Sequence, residues 1–168
     1  MNVLKRREGD LFTAIRKSAR KTIVVPHVVN DKGAWGAGFV VPLGKKFPYV
    51  KESYLKWANS ETCDSFALGN IQEVHQLSGA SDVIFVNMLA QTLVRSEIDF
   101  SRGERPLFYN HLVSCMEKVA ELALDHDAAI YCPKFGSGLA GGRWDFIQEL
   151  IKDCWCRTGI DTTYFVFV

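Results

Sequence analysis

Apolar and polar positions switch between two periods along the chain, and each switch marks an element. Residues 3–7 read as a short strand closed by Gly9-Asp10, and residues 11–21 as a basic, amphipathic helix. Residues 22–29 are a run of β-branched side chains suited to a buried strand. Pro26 lies inside that run without an N–H to donate, which predicts a bulge or a locally unpaired edge. A glycine-rich loop follows, from Asn30-Asp31-Lys32 through Gly33-Ala34-Trp35-Gly36-Ala37-Gly38. A helix starts in its second half and runs to about Lys46, and Pro48 opens another through Tyr54 and Trp57. Residues 65–76 and 82–90 read as two strands joined by Ser78-Gly79-Ala80, and residues 92–104 as a polar, irregular loop.

Pro106 suits the first turn of a helix, where a missing N–H leaves nothing unsatisfied. Leu112, Met116, Val119 or Ala120, and Ala123 then recur at helical spacing. Residues 127–132 form a short strand, followed by a second glycine loop, Pro133-Lys134-Phe135-Gly136-Ser137-Gly138-Leu139-Ala140-Gly141-Gly142. The helix from Arg143 puts Ile147, Leu150 or Ile151, and Cys154 or Trp155 on one face, Gly159 stops it, and residues 162–168 are the last strand. Strands alternating with helices predict one domain over residues 1–168: a three-layer α/β/α fold on a mixed, mostly parallel sheet of about six strands. Ligands of such sheets sit beyond the carboxyl ends of the strands. Both glycine loops leave such an end, so they are expected on the same edge.

Composition narrows the class. The 168 residues are 48% hydrophobic and 23% charged, which excludes disordered, collagen-like and coiled-coil chains. The formal net charge of +1 argues against wholesale neutralisation of a nucleic-acid backbone. No apolar run reaches the roughly 18 residues that span a bilayer, and the polar, basic N-terminus is no secretory signal. The 5 cysteines contain no CxxC pair, and Cys154 and Cys156 have the wrong spacing for a zinc knuckle. All are read as reduced thiols of a cytoplasmic protein.

Candidate chemistry gathers at the two loops. Glycine-rich loops entering helices expose main-chain N–H groups and can hold phosphate; the alternative is that the glycines only make tight turns. Gly136 to Gly141 matches GxGxxG by letters alone, and the GxxxxGK[ST] pattern is absent. Asn30 either hydrogen-bonds a sugar hydroxyl or stabilises its own turn. His27 is either a satisfied core histidine or a general acid/base beside the loop. Asp10 either accepts from an exocyclic amine of a base or caps the following helix. Trp35 either covers a sugar or packs against the next helix. Trp57, Trp144 and Trp155 fall on helical core faces, and His75, His111 and His126 are surface or boundary residues without metal-like spacing.

Four segments, taken in order, resemble a macro domain over nearly the whole chain. They are Gly9-Asp10-Leu11-Phe12; His27-Val28-Val29-Asn30 with Gly33 to Gly38; Asn87-Met88-Leu89-Ala90-Gln91; and Pro133 to Trp144. The likeness is to stand-alone domains of the ADP-ribose-1''-phosphate phosphatase and terminal ADP-ribose protein glycohydrolase type. The resemblance implies that Asp10 takes the adenine amine and Leu11 adds main-chain contacts. It implies that Asn30 faces the distal ribose, and that Gly33, Ala34, Trp35, Gly36, Ala37 and Gly38 wrap that ribose and a phosphate. Phe135, Gly136, Ser137, Gly138, Leu139 and Ala140 would cradle the diphosphate, and Phe167 or Val168 would flank the adenine. The glycohydrolases place a catalytic Asp where this chain has Ala140, and their Lys has no match in residues 87–91. The phosphatase-like group uses a His at the position of His27, but no Asp or Glu lies between Val83 and Gln91 to partner it.

The resemblance therefore implies an ADP-ribose-binding hydrolase, with His27 and Asn30 as catalytic residues and ADP-ribose as ligand rather than cofactor. Its substrate is either the 1''-phosphate or an ADP-ribosylated protein or nucleic acid. Metal independence, a monomeric state and no membrane partner are expected. The alternatives are an ADP-ribose reader without chemistry and a nucleic-acid-binding module. The last draws on Lys5, Arg6, Arg7, Arg16, Lys17, Arg20 and Lys21, seven of the 20 basic residues.

Overall fold

The computed structural model describes residues 2–77, 81–92 and 100–167. The Ser78-Gly79-Ala80 connection, most of the 92–104 loop and Val168 lie outside the described residues. Six strands, β1 (Lys5–Glu8), β2 (Thr22–Asn30), β3 (Ile71–Leu77), β4 (Asp82–Gln91), β5 (Ala129–Cys132) and β6 (Thr162–Val166), form one sheet in the order β1-β6-β5-β2-β4-β3. All neighbours run parallel except β3, which pairs antiparallel with β4 at the edge. The helices are α1 (Leu11–Lys17), α2 (Val40–Lys46), α3 (Pro48–Ala58), α4 (Tyr109–Asp125) and α5 (Trp144–Ile151), the last continued by a π-helical turn over Lys152–Cys156.

The period of two along each strand sorts the core into two layers. Val24, Ile84, Val86, Met88 and Ile130 pack on one face against Leu112, Met116, Val119, Ile147 and Trp155 of α4, α5 and the π turn. Ile23, Val25, Val83 and Phe85 pack on the other against Leu11, Phe12 and Ile15 of α1, Leu43 of α2 and Val50 of α3. The chain is thus a three-layer α/β/α fold.

Several expectations move. The strand expected over residues 65–76 begins only at Ile71, and the helix expected from within the first glycine loop begins after it, at Val40. α1 ends at Lys17 rather than at residue 21, because Ser18 is already extended and residues 18–21 carry the chain into β2. The helix after Pro106 begins at Tyr109, since Leu107 is held in a bridge to Gln91. Pro26 makes no bulge: the ladder to β4 runs through it unbroken, and the register shifts only between Val29 and Asn30. Pairing of β2 with β5 covers Ile23 and Val24 alone, so Pro26 lies past it on a locally unpaired edge.

That unpaired edge places the site. β2 leads onward to α2 and α3, while β5 leads toward α5 and β6 on the other side. The sheet's connections part between these two strands, which is where open α/β sheets leave a crevice.

Candidate functional site

Two cavities lie along the crevice, sharing Phe39, Pro133 and Lys134 in their walls. The larger, ≈ 710 Å³, is lined by residues that include Asp10, Leu11, Phe12, Gly38, Lys46, Phe165 and Phe167. The smaller, ≈ 110 Å³, is lined by residues that include His27, Ala37, Gln91, Phe135, Gly136 and Ala140. The expected coincidence of the two glycine loops on one edge of the sheet is what brings these walls together.

Asp10 is the N-cap of α1. Its carboxylate accepts from Phe12 N (3.1 Å), Thr13 N (3.3 Å) and Thr13 Oγ1 (2.8 Å). Partial burial opposes its ionisation, but these hydrogen bonds and the charge of Lys46 outweigh it and hold the carboxyl below its ordinary range. The capping role is occupied and the same residue lines the larger cavity. Lys46 reaches over the Phe12 ring, 5.6 Å from its centroid. Phe167, 85% exposed, stands at the rim of this cavity.

His27 is buried at 2% exposure. Its Nε2 lies 2.6 Å from Asn87 Oδ1, and its Nδ1 has no hydrogen-bond partner. The ring sits edge-on to Trp35 (5.7 Å between centroids) and tilted against Phe39 (5.6 Å). Burial lowers its pKa to about 4, outweighing the opposing pulls of Asn87 and of the Val28 main chain. The partner sought among acidic residues is therefore an amide.

Asn30 spends its side chain on the first loop. Its Nδ2 donates to Ala34 O (2.8 Å), and its Oδ1 accepts from Lys32 N (2.9 Å), Ala34 N (3.0 Å) and Tyr54 Oη (3.1 Å). This is the turn-stabilising arrangement, with one Nδ2 hydrogen left over. Gly33 supplies the left-handed conformation the turn needs, at φ 71°. Trp35 takes the packing alternative, lying between His27, Tyr54 and α2. A Cβ at Gly44 would sit 2.6 Å from its Nε1, so α2 approaches the indole only because residue 44 has no side chain.

In the second loop Gly136 and Gly138 are left-handed, at φ 72° and 66°, and a 3₁₀ turn runs over Gly138–Ala140. Gly142 packs on the Gly136 carbonyl, where a Cβ would collide. The first N–H groups of such a turn have no partner inside it and face outward. Phe135, Gly136 and Ala140 line the smaller cavity, whereas Ser137, Gly138 and Leu139 stand outside the cavity walls. Gly33, Ala34, Trp35 and Gly36 shape the first loop from behind, and Ala37 and Gly38 reach the cavities.

The sequence reading missed Phe39, Lys46 and Lys134 as wall residues. Lys134 had a signal, since it stands between the end of β5 and the glycines. Phe39 and Lys46 had none, because only the fold of α2 brings them over the crevice. Among the described residues no group of three His, Cys, Asp or Glu could hold a metal ion, and no helix is long and apolar enough to cross a membrane. All five cysteines are free thiols.

The six-stranded sheet, with two glycine loops meeting over the β2–β5 crevice, has the macro-domain fold. The solved structures similar to it include a macrodomain protein from Streptomyces coelicolor, with 29% identity, TM-score 0.77, and coverage of 98% of this chain and 99% of that one. A Bacteroides thetaiotaomicron protein of unknown function has 29% identity, TM-score 0.86, and coverage of 99% of both chains. Among curated proteins, the ADP-ribose 1''-phosphate phosphatase of Candida albicans is 24% identical over 156 residues, 87% of this chain and 90% of the relative. No protein-family model matches the chain.

Proposed function

We propose that the chain binds ADP-ribose derivatives along the crevice and hydrolyses the phosphate monoester of ADP-ribose 1''-phosphate. The adenosine half occupies the larger cavity, between Asp10 and Phe167. The diphosphate crosses the shared wall at Pro133 and Lys134, under the N–H groups of the second loop. The distal ribose and its phosphate reach the smaller cavity.

The observation that carries this reading is the unpartnered Nδ1 of a buried His27 in the wall of that cavity. Asn87 Oδ1 is an acceptor, so Nε2 carries the proton that joins them and Nδ1 keeps its lone pair. A water beside Nδ1 attacks phosphorus and forms the new P–O bond. His27 takes the proton from that water. The bond from phosphorus to the ribose oxygen breaks, and the proton passes to the leaving oxygen, giving inorganic phosphate and ADP-ribose. Loop N–H groups and Lys134 take the charge on the phosphoryl oxygens. Ala140, where the glycohydrolase resemblance places a catalytic Asp, favours the phosphoester over the glycosidic bond. The Candida albicans relative supports the same substrate class.

Calorimetric titration with ADP-ribose against ADP, paired with phosphate release from ADP-ribose 1''-phosphate, tests the proposal. Saturable binding that clearly exceeds that of ADP is expected, with phosphate release that persists in EDTA. His27→Ala is expected to abolish release while leaving ADP-ribose affinity within a few-fold. Binding without release by the unaltered protein would make it a reader, and release unchanged in His27→Ala would remove the histidine from the reaction.

A further inference from the structure

Register places three polar side chains in one row across the sheet. His27 of β2 pairs with Asn87 of β4, and Asn87 pairs with Gln72 of β3. All three point to the face covered by α2 and α3, and their side chains are linked end to end. Asn87 Nδ2 donates to Gln72 Oε1 at 2.9 Å, and Gln72 Nε2 donates to the main-chain carbonyl of Ser53, in α3, at 2.9 Å. Asn87 is fully buried.

The far end of this row sets its direction. A main-chain carbonyl can only accept, so the Gln72 amide must turn its NH₂ toward Ser53 and its oxygen toward Asn87. Asn87 must then offer its NH₂ to Gln72 and its oxygen to His27. An imidazole facing an oxygen acceptor must bring a proton to it, so Nε2 is protonated and Nδ1 is not. We propose that Gln72 and Asn87 are positioning residues that fix the proton of neutral His27 on Nε2 and leave Nδ1 bare in a residue of the smaller cavity's wall. The catalytic consequence rests on the proposed function, whereas the tautomer does not.

The row does more than satisfy buried polar atoms. A buried Asn alone could turn over and offer its NH₂ to the ring instead. Anchored through Gln72 to a carbonyl, it cannot do so without leaving two donors or two acceptors face to face. Trp35 and Phe39 hold the ring against rotation from the other sides. The charged group that shares the cavity wall with His27 is Lys134, and no member of the row carries charge.

Long-range ¹H–¹⁵N NMR of the ligand-free chain reads the tautomer directly. His27 is assigned by the signals missing in His27→Gln. At pH 7 the expected pattern is a protonated Nε2 and a pyridine-like Nδ1. Gln72→Leu frees Asn87 to turn over and mixes the two forms, and kcat falls about twofold once they equalise, with KM unchanged. Asn87→Asp is nearly isosteric and keeps the Nε2–H form. Its carboxylate favours the imidazolium and raises the His27 titration midpoint by about 1–3 units. A protonated Nδ1 in the unaltered protein overturns the inference. So does a folded Gln72→Leu whose nitrogen pattern is unchanged. If Gln72→Leu does not fold, an unmoved midpoint in Asn87→Asp overturns it. The expected tautomer in a protein that turns over no substrate would sink the phosphatase reading and leave this inference standing.

Discussion

At the residue scale, His27 decides how the site responds to pH. Burial lowers its pKa to about 4, so it is neutral through the range where an ordinary histidine titrates. A base that must be neutral then gives kcat/KM that is flat through pH 6.5 and falls only toward pH 4, which a pH–rate profile reads directly. A limb near 6.5 would mean that the reacting base is another group. The same shift acts on stability. The unfolded chain takes up a proton at this histidine near pH 6.5 and the folded chain only near 4. The stability present above 6.5 is therefore lost as pH falls toward 4, by about 3 kcal/mol in all. Denaturant titrations along that range should show the slope, and His27→Gln should remove it. The sequence marked His27 but not its partner, which lies 60 positions away. Nothing in the sequence joins Asn87 to His27, because only strand register brings the two together.

At the element scale, the loops do more of their own stabilising than sequence spacing suggests. Asp10 satisfies the first N–H groups of α1 before it meets any ligand. Asp10→Ala should cost about 1 kcal/mol through the lost cap, a fall of about 2–4 °C in Tm. Calorimetry with and without ADP-ribose separates the two roles. An equal loss in both states would mean that the carboxylate only caps. Asn30 shows the same division, since its amide closes the first loop and leaves one hydrogen for a ligand. Trp35 was undecided in the sequence because the deciding residue, Gly44, lies outside the loop. Gly44→Ala should push the indole against the His27 ring at a cost of about 1–3 kcal/mol, read as a lower denaturation midpoint. The number of strands and the placing of most helices were legible, because period-two and period-3.6 patterns alternate, whereas the order of strands in the sheet was not. The ends of α1 and α4 were not, because there the chain is held by extended connections rather than by side-chain pattern.

At the scale of the whole molecule, the mostly parallel sheet separates two charged regions. β1 ends at the crevice, and α1 runs back from it, carrying Arg16 and Lys17 away from the ligand walls. Lys5 and Arg20 line a pocket with Asp127 and Asp161 at the opposite edge, where Lys5 pairs with Asp161 at 2.8 Å. The basic cluster in the first 21 residues is therefore divided: Lys5 is neutralised by Asp161 away from the site, whereas Arg7 lies 5.5 Å over the ring of Phe165 in the larger cavity's wall. The cations that line the crevice are Lys46 and Lys134, from two elements far apart in sequence. Arg20→Glu with Lys21→Glu should leave the ADP-ribose Kd unchanged. Lys134→Ala should weaken it roughly fivefold, about 1 kcal/mol for an exposed cation on a diphosphate. It should also flatten the dependence of Kd on salt, since screening acts on the contact that was removed. A Kd that responds to the Arg20 and Lys21 reversals but not to Lys134→Ala would place the anion at the other end of the sheet. The crevice between β2 and β5 would then not be the binding site.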